Sequence, residues 1–319
     1  MKRITTLAAC ALAMAATNST LRADNFGSGA NTFTIDFVNI GNAGNADDTG
    51  DGGGSFSSPY GGVSYNYRMG VTEVSQDWIT KATNLGVTNL GGGAWTDSQP
   101  AATMTWYQAA AFVNYLNTST GHHAAYQIDA GVTALTPWSS AQAWQLDGEN
   151  LYRHKDAYFF LPSEDEWYKA AFHKNDGVTA NYWDYATGSN AIPDGLDFNG
   201  DTVFDAVFNQ GFDQGAPNAV TNVGLPSAYG TLGQDGNVWD WVESAFDGVN
   251  DSSSETREIR GGTCDDTESR LRSSLRFSFL PQNANPTVGF RVASVPEPSC
   301  TILLSFGAAA TFAIRRRTR

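Results

Sequence analysis

Apolar and polar residues alternate along several short segments of the chain, and this pattern predicts β-strands. In residues 33–40, Phe33, Ile35 and Phe37 fall on one face of an extended chain, because successive side chains of a strand point to opposite sides. Residues 65–71 predict a second strand. Three further strands are expected late in the chain, at residues 258–262, 271–277 and 288–292.

Other segments carry the helical spacing of apolar residues. One helix is predicted to begin near Ser75. A second is predicted over residues 105–117, where Thr105 and Gln108 form a capping box and Gly121 follows the end. Because helices and strands are separated along the chain by long coil, the pattern predicts an α+β fold.

A third helix is predicted directly after residues 158–162, where Ser163 and Glu166 form a second capping box. Glu164 and Asp165 add two carboxylates to its first turn. Carboxylates grouped in this way also suit general-acid catalysis, but the helix dipole favours anions at a helix N-terminus. We therefore interpret these side chains as capping groups.

Residues 233–241 read Gly-Gln-Asp-Gly-Asn-Val-Trp-Asp-Trp, and their central Asp-Gly-Asn predicts a tight turn before a strand. Trp239 and Trp241 should share one face of that strand, and Asp240 should lie on the other. A carboxylate beside the backbone carbonyls of a turn suits Ca²⁺. A hairpin turn followed by a core strand explains the same nine residues without a metal, so both interpretations stay open.

Residues 1–23 differ from the chain that follows them. Lys2 and Arg3 precede an apolar run, and Leu-Arg-Ala ends the segment before Asp24. This order of basic, apolar and small residues is typical of a secretory signal, and we expect cleavage after Ala23.

Residues 295–319 form a second distinct end. Pro-Glu-Pro precedes an apolar run of about 15 residues, which is short for a full membrane span of roughly 20. Arginines follow, and this basic end should stay cytoplasmic under the positive-inside rule. We interpret the segment as a sorting tail with a short transmembrane segment. Residues 24–294 contain no clear linker and are predicted to form one domain.

The predicted exported part of the chain is strongly acidic. Seven of the 19 lysines and arginines lie before residue 24 or after residue 298, so 12 basic residues remain against 33 acidic ones, a formal charge of −21. Such a surface repels phosphate backbones, and we therefore expect no nucleic-acid partner. It favours cations and basic ligands.

Of the three cysteines, only one lies in the predicted domain. Cys10 lies in the signal and Cys300 in the tail, which leaves Cys264 without a partner for an internal disulfide. Stability must therefore come from burial of a core, to which nine tryptophans contribute. Acidic neighbours should raise the pKa of the Cys264 thiol and make it a poor nucleophile.

Six short motifs occur in order across the domain. They are Tyr-Arg-Met-Gly-Val-Thr-Glu-Val (67–74), Trp-Tyr-Gln-Ala-Ala (106–110), Leu-Pro-Ser-Glu-Asp-Glu-Trp (161–167), Gly-Asn-Val-Trp-Asp-Trp (236–241), Arg-Gly-Gly (260–262) and Gly-Phe-Arg (289–291). Together they closely resemble the formylglycine-generating-enzyme, or sulfatase-modifying-factor, family. The resemblance implies a variant of the C-type-lectin-like fold, with a twisted antiparallel sheet, two main helices and much coil.

The tail is similar to the Pro-Glu-Pro C-terminal sorting signal of Gram-negative bacteria. This resemblance implies processing by exosortase-type sorting machinery. It also implies a transient membrane anchor and delivery to the outer cell surface or the extracellular matrix.

The family's founding activity converts a sulfatase cysteine to formylglycine with O₂ and Cu(I), which two thiolates hold. The resemblance places both cysteines after residues 260–262, with four residues between them. Cys264 is present, but Ser269 stands five residues later, and counting back from residues 289–291 puts Glu268 at the second position. Because soft thiolates select Cu(I), the missing partner argues against copper chemistry and leaves Cys264 as the only candidate thiol.

Members of the family also bind calcium around the Gly-Asn-Val-Trp motif. The resemblance implies that Gly236 and Val238 offer carbonyl oxygens and that Asp240 offers its carboxylate. It places a further ligand in the preceding loop, where we choose Asn209 by its spacing. The family's polar ligand three residues before the glycine is replaced by Gly233, which has no side chain. A structural calcium ion is therefore expected.

Two functions remain open. The first is a surface-anchored, non-catalytic binding or structural module, with extracellular polysaccharide or exported proteins as partners. Trp95, Trp138 and Trp183 would stack on sugar rings in such a module, although packing in the core explains the same residues. The second is a formylglycine-generating oxidase that acts on exported sulfatases. The missing cysteine pair favours the module.

Overall fold

The structure of the chain, a computed structural model, describes residues 21–50, 59–195, 206–209 and 215–296. The predicted signal before residue 21 and the predicted tail after residue 296 lie outside these ranges, so both stay predictions. Within the described ranges, no helix is both long and apolar enough to cross a membrane.

Short strands and three α-helices make up the regular structure of these residues. The strands are β1 (Arg22–Phe26), β2 (Phe33–Ile40), β3 (Tyr67–Gly70), β4 (Gln127–Ile128), β5 (Leu135–Thr136), β6 (Ala143–Trp144), β7 (Asn150–His154), β8 (Phe159–Phe160), β9 (Trp239–Ala245), β10 (Arg257–Arg260), β11 (Phe277–Phe279), β12 (Val288–Phe290) and β13 (Ala293–Ser294). The helices are α1 (Gln76–Asn84), α2 (Trp106–Ser119) and α3 (Glu164–Phe172), with short 3₁₀ turns at Gly29–Asn31 and Glu268–Arg270.

The first sheet has five strands in the order β1-β2-β3-β13-β8, and all neighbours are antiparallel. Strand β2 has the bounds that its alternating pattern predicts, and Phe33, Ile35 and Phe37 are buried in the main core. Strand β13 lies between β3 and β8, so residues near the end of the domain hold the edge strand β8 to the rest of this sheet.

The second large sheet has four strands in the order β11-β10-β9-β12. Strand β9 pairs antiparallel with β10 and parallel with β12, and Asp240 lies opposite Gly289 in the parallel pair. The main core lies between this sheet, the first sheet and helices α1 and α2, with Ile79, Phe112 and Trp241 among its members. The remaining pairs, β4-β5 and β6-β7, are small antiparallel ribbons.

Both predicted capping boxes are confirmed. At the start of α2, Gln108 N donates to Thr105 Oγ1 (3.1 Å) and Thr105 N donates to Gln108 Oε1 (2.9 Å). Ser163 and Glu166 exchange equivalent bonds of 3.2 and 2.7 Å at the start of α3. Each box satisfies two backbone donors that a helix start leaves free. The described residues form three α-helices where the resemblance implied two main ones, and the predicted α+β class is confirmed.

The strand predicted at residues 271–277 is wrong over most of its length, because β11 begins only at Phe277. The guanidinium of Arg260 explains the difference. Its Nη1 donates to the carbonyls of Ser273 (2.7 Å) and Leu275 (2.5 Å). A side chain therefore binds backbone groups that a neighbouring strand would otherwise bind.

Strand β1 begins at Arg22, before the predicted cleavage point after Ala23, and both residues pair with β2. After cleavage at this point, only the last three residues of β1 would remain. Asp24 would then be the first residue of the mature chain, and its carboxylate forms an ion pair with Arg68 at 2.7 Å.

Candidate functional site

The turn before β9 requires backbone conformations that few residues adopt. Gly236 has a φ angle of 86° and Asn237 one of 62°, both in the left-handed region. A Cβ atom on Gly236 would overlap the carbonyl oxygen of Val207. That oxygen accepts a hydrogen bond of 2.8 Å from the backbone N of Asn237. Only glycine therefore fits at position 236.

Strand β9 separates two environments, as the sequence predicts. Trp239 and Trp241 are buried in the main core. Asp240 is buried elsewhere, where its Oδ2 accepts hydrogen bonds from Trp167 Nε1 (2.9 Å) and Arg291 Nε (2.7 Å). The carboxylate expected to bind calcium thus has one oxygen held by a buried ion pair.

Arg291 connects Asp240 to the turn. Its Nη2 donates to the carbonyls of Leu232 (3.0 Å) and Gly233 (3.2 Å), and its Nη1 donates to that of Gly70 (3.4 Å). The guanidinium therefore places positive charge between a carboxylate and turn carbonyls. A calcium ion was expected in this position.

A second buried carboxylate, that of Glu73, lies in the same group of side chains. Both of its oxygens accept from Asn237 Nδ2, at 2.9 and 3.1 Å, and a Cβ atom on Gly233 would approach Glu73 Oε2 to 2.9 Å. Burial and the charge of Asp240 raise the pKa of Glu73 to about 8, although Arg291 opposes the rise. Burial also raises the pKa of Asp240. Two carboxylates therefore share one guanidinium.

The buried group of Asp240, Glu73 and Arg291 contains two carboxylates and one guanidinium. One further cation would balance its charge. Asp240 Oδ1 is buried and has no hydrogen-bond partner among the described residues. A free carboxylate oxygen beside a second carboxylate suits Ca²⁺. In the described part of the chain, no three His, Cys, Asp or Glu side chains lie close enough to hold a metal ion together. Backbone carbonyls, such as those expected of Gly236 and Val238, would therefore have to complete the coordination.

Asn209, the other expected ligand, lies two residues beyond Val207 and is exposed. Its φ angle is 54°, and its backbone N donates to the carbonyl of Asp266 at 2.8 Å. Val207 forms a β-bridge with Gly236, so Asn209 lies two residues from a position that pairs with the turn. Its role as a ligand stays a prediction.

Cys264 follows β10 and is buried with Val207 and Val223 in a small apolar cluster. Its backbone N donates to the carbonyl of Asn237 at 3.0 Å, so the turn fixes its position. Burial, reinforced by the charge of Asp265, raises the pKa of the thiol to about 12. The predicted rise is confirmed, with desolvation as its largest cause.

Neither position expected for a second cysteine offers a thiolate. Glu268 and Ser269 belong to the 3₁₀ turn after Cys264. The hydroxyl of Ser269 is exposed and shares a hydrogen bond of 2.8 Å with that of Thr267.

The model of one protein family, the sulfatase-modifying factor enzyme 1-like domain, matches residues 55–295. The chain belongs to this family. The match covers all six motifs and includes the turn, Cys264 and the buried carboxylates described above. A comparison with curated protein sequences finds no match.

Solved structures share the fold of this sulfatase-modifying-factor-like domain. Treponema denticola variable protein 1 is 20% identical, with a TM-score of 0.58 over 86% of this chain and 99% of that chain. CarF is 18% identical, with a TM-score of 0.54 over 82% and 99% of the two chains. PvdO from Pseudomonas aeruginosa is 15% identical, with a TM-score of 0.55 over 86% and 98%. The predicted fold of the formylglycine-generating-enzyme type is confirmed.

Sequence reasoning missed two members of the buried group in this sulfatase-modifying-factor-like domain. Glu73 and Arg291 both lie in motifs that carry the family resemblance, but the motifs alone assign them no contact. Glu73 is 164 residues from Asn237, and Arg291 is 51 residues from Asp240. Their presence in ordered motifs was the only available signal.

The three tryptophans considered for sugar stacking are half-buried rather than part of the core. The indole N–H groups of Trp95 and Trp138 donate to backbone carbonyls at 2.7 and 2.9 Å. The ammonium of Lys174 lies 3.9 Å from the ring centroid of Trp183. Each ring is thus fixed in position while part of it faces solvent.

Proposed function

We propose that the protein is an exported, surface-anchored sulfatase-modifying-factor-like domain that acts as a non-catalytic binding or structural module. The state of Cys264 carries this proposal. Chemistry of the formylglycine type needs two thiolates that hold Cu(I). Here the single thiol of the described residues is buried, and its pKa of about 12 keeps it protonated at neutral pH.

Export and surface anchoring are supported by the two ends of the sequence. A basic, apolar and small-residue order at residues 1–23 suits secretion. The tail at residues 295–319 suits recognition by exosortase-type machinery, which is the first proposed partner. Further proposed partners are extracellular polysaccharide and exported proteins. The half-buried faces of Trp95, Trp138 and Trp183 suit stacking on sugar rings.

We also propose a structural calcium ion at the turn before β9. Asp240 would provide its carboxylate, Gly236 and Val238 their carbonyl oxygens, and Asn209 a ligand from the preceding loop. The free Oδ1 of Asp240 supports this assignment. When bound, the ion would neutralise the second carboxylate of the buried group and restrain the turn.

The proposed lack of catalysis is tested with a peptide that contains Cys-x-Pro-x-Arg. The full chain is incubated with the peptide, Cu(I) and O₂, and the peptide is analysed by mass spectrometry. We expect no conversion of the thiol to an aldehyde, with the same result for the Cys264→Ala variant. Conversion by the wild type that disappears in Cys264→Ala would establish the oxidase instead of the module.

A further inference from the structure

Two imidazole rings stack on each other where the segment after α2, residues 121–125, meets the end of β7. The ring centroids of His123 and His154 are 3.6 Å apart, and the ring planes differ by only 8°. His123 is exposed, whereas His154 is the last residue of β7 and is buried. The indole of Trp138 packs edge-on against both rings, with its centroid 5.5 Å from that of His123 and 4.6 Å from that of His154. These two histidines form the imidazole pair.

Hydrogen bonds define the protonation of each ring in the imidazole pair. Nδ1 of His123 lies 2.8 Å from the carbonyl oxygen of Ala124, which can only accept, so this nitrogen carries a proton. Nδ1 of His154 accepts from the backbone N of Asp156 at 3.1 Å, so this nitrogen carries none. A further proton on His154 must therefore go to Nδ1. There it would set two N–H groups against each other and break the bond to Asp156.

The charges around His154 do not stabilise a second proton on the imidazole pair. The carboxylate of Asp156 lies 3.9 Å from Nδ1 and favours a positive ring, but its side chain is 68% exposed and water weakens the attraction. Lys155 opposes a positive ring, and β6, the strand paired with β7, contains no charged residue. Burial lowers the pKa of His154, and His123 adds to this effect. The packed pair therefore takes at most one added proton, on the exposed ring of His123.

The imidazole pair holds the segment after α2 and the indole of Trp138 in one arrangement. The carbonyl oxygen of Ala125, at the end of this segment, accepts from the backbone N of His154 and from Trp138 Nε1, both at 2.9 Å. The stacked rings lie beside this shared acceptor, and the indole contacts both of them. Loss of the stack would therefore loosen the segment and the indole together.

Acid favours separation of the two rings. A solvated histidine has a pKa near 6.5, so both rings take a proton below about this pH once they are apart. The packed pair takes only one proton, and the separated state therefore binds one more and becomes more populated as the pH falls. The contribution of the imidazole pair to stability is complete above about pH 7 and is lost below about pH 6.

We propose that the imidazole pair is an acid-sensitive switch, which releases residues 121–125 and the ring of Trp138 below about pH 6. At neutral pH the stack holds the indole in place. In acid the two charged rings separate, and the indole loses its packing against both. The effect on ligands rests on the binding role proposed above, because Trp138 is one of the rings proposed to stack on sugars. The module would then bind at neutral pH and release its ligand in acid.

Hydrogen–deuterium exchange of the full chain, followed by mass spectrometry, tests the switch without a ligand. The wild type is measured at about pH 8 and about pH 5, with exposure times scaled to the intrinsic exchange rate at each pH. We expect residues 121–125 to exchange about tenfold faster at the lower pH after this correction. Strand β9 lies in the main core and is the internal reference, which should keep its rate.

Three variants assign the effect to the imidazole pair. His154→Asn keeps an acceptor for the backbone N of Asp156 but takes no proton, and it should exchange at equal rates at both pH values. His123→Phe changes an exposed position, keeps a ring on His154 and removes one charge, so its acceleration should be smaller than that of the wild type. His122→Phe is the matched control, because the ring of His122 stacks on Tyr158 at 4.3 Å, and it should accelerate as the wild type does.

The proposal is overturned if the wild type exchanges at equal rates at both pH values. Equal acceleration in His123→Phe and the wild type would also overturn it, as would an acceleration of β9 as large as that of residues 121–125. If His154→Asn does not fold, the other two variants still decide the outcome. The measurement contains no ligand, so its failure leaves the proposed module intact. Oxidation of a Cys-x-Pro-x-Arg peptide would refute the module without affecting the switch.

Discussion

Asp165 lies in the first turn of α3, where the helix dipole favours its charge and burial opposes it. Desolvation is the larger effect and raises the pKa of this carboxyl to about 7. The negative groups Glu164, Asp47 and Glu166 act in the same direction, and the N–H of Gly61 opposes them. The sequence therefore predicts correctly that Asp165 lies at the start of α3, but it does not predict the desolvation that raises its pKa.

The stability of the protein should depend on pH through Asp165. The folded state keeps a proton on this carboxyl up to about pH 7, whereas the unfolded chain releases it near pH 4, so this contribution to stability falls between the two values and then stays constant. The full effect is at most about 4 kcal/mol before solvent screening. Thermal unfolding of Asp165→Asn should therefore show a smaller fall in midpoint between pH 5 and pH 8 than wild type.

The comparison variant for this titration is Asp36→Asn, which changes an exposed carboxylate on β2. It should keep the pH profile of the wild type. Identical profiles for the wild type and Asp165→Asn would show that this carboxyl titrates normally.

Single residues show which contacts a sequence can predict. The alternation around Asp240 correctly predicts that its carboxylate lies opposite two core indoles. The same pattern does not predict the contact between Asp240 and Arg291. The two residues are 51 positions apart, and the pairing of β9 with β12 brings them together. The raised pKa of the Cys264 thiol was predictable in part, because acidic neighbours raise it. Its larger cause, the burial of the thiol, follows from tertiary packing.

Three elements of the fold are joined by one buried ion pair network. Arg153 of β7 binds Glu166 of α3 and Glu243 of β9. The hydroxyls of Tyr65 and Tyr126 each donate to one of these carboxylates at 2.7 Å. Burial raises the pKa of Glu166, but Arg153 outweighs it and the net shift is downward. The network therefore fixes α3 against both strands.

Removal of the central cation should destabilise the domain strongly. Arg153→Met would leave two buried carboxylates without their cation, and we expect a loss of about 3–5 kcal/mol in the free energy of unfolding. Denaturant unfolding followed by circular dichroism provides the measurement. Lys81→Met, which breaks a partly exposed pair with Asp77, should cost less than about 1 kcal/mol.

A companion variant separates charge from packing. Adding Glu166→Gln and Glu243→Gln to Arg153→Met should recover part of the lost stability, because amides cost less to bury than carboxylates. No recovery would indicate that the network matters through its shape alone.

Elements with strong local signals were predicted well. The eight-residue β2 and the capped helices α2 and α3 follow from alternation, helical spacing and capping boxes. The two-residue strands, such as β6 and β13, are too short for any period to show. Their existence depends on neighbours that are distant in the sequence, as does the parallel pairing of β9 with β12.

At the scale of the whole molecule, the calcium proposal predicts stabilisation by mass action. A ligand that binds only the folded state adds about 2.7 kcal/mol at a hundredfold excess over its Kd. The thermal midpoint should therefore be higher with Ca²⁺ than with chelator, and Asp240→Asn should lose this difference. Asp97→Asn, at an exposed position, should retain it. An equal thermal midpoint of the wild type with Ca²⁺ and with chelator would rule out the calcium ion.

The position of β13 determines when the first sheet can be completed. Its two residues, Ala293 and Ser294, are the last strand residues in the described part of the chain, and they join β3 to β8, the edge strand of the five-stranded sheet. Until these two residues are synthesised, β8 has no partner strand in this sheet, although Asn117 of α2 donates to the carbonyl of Phe159 at 2.7 Å. The first sheet therefore closes only after synthesis of the domain is complete. A first sheet that stays incomplete during synthesis suits the export proposed above.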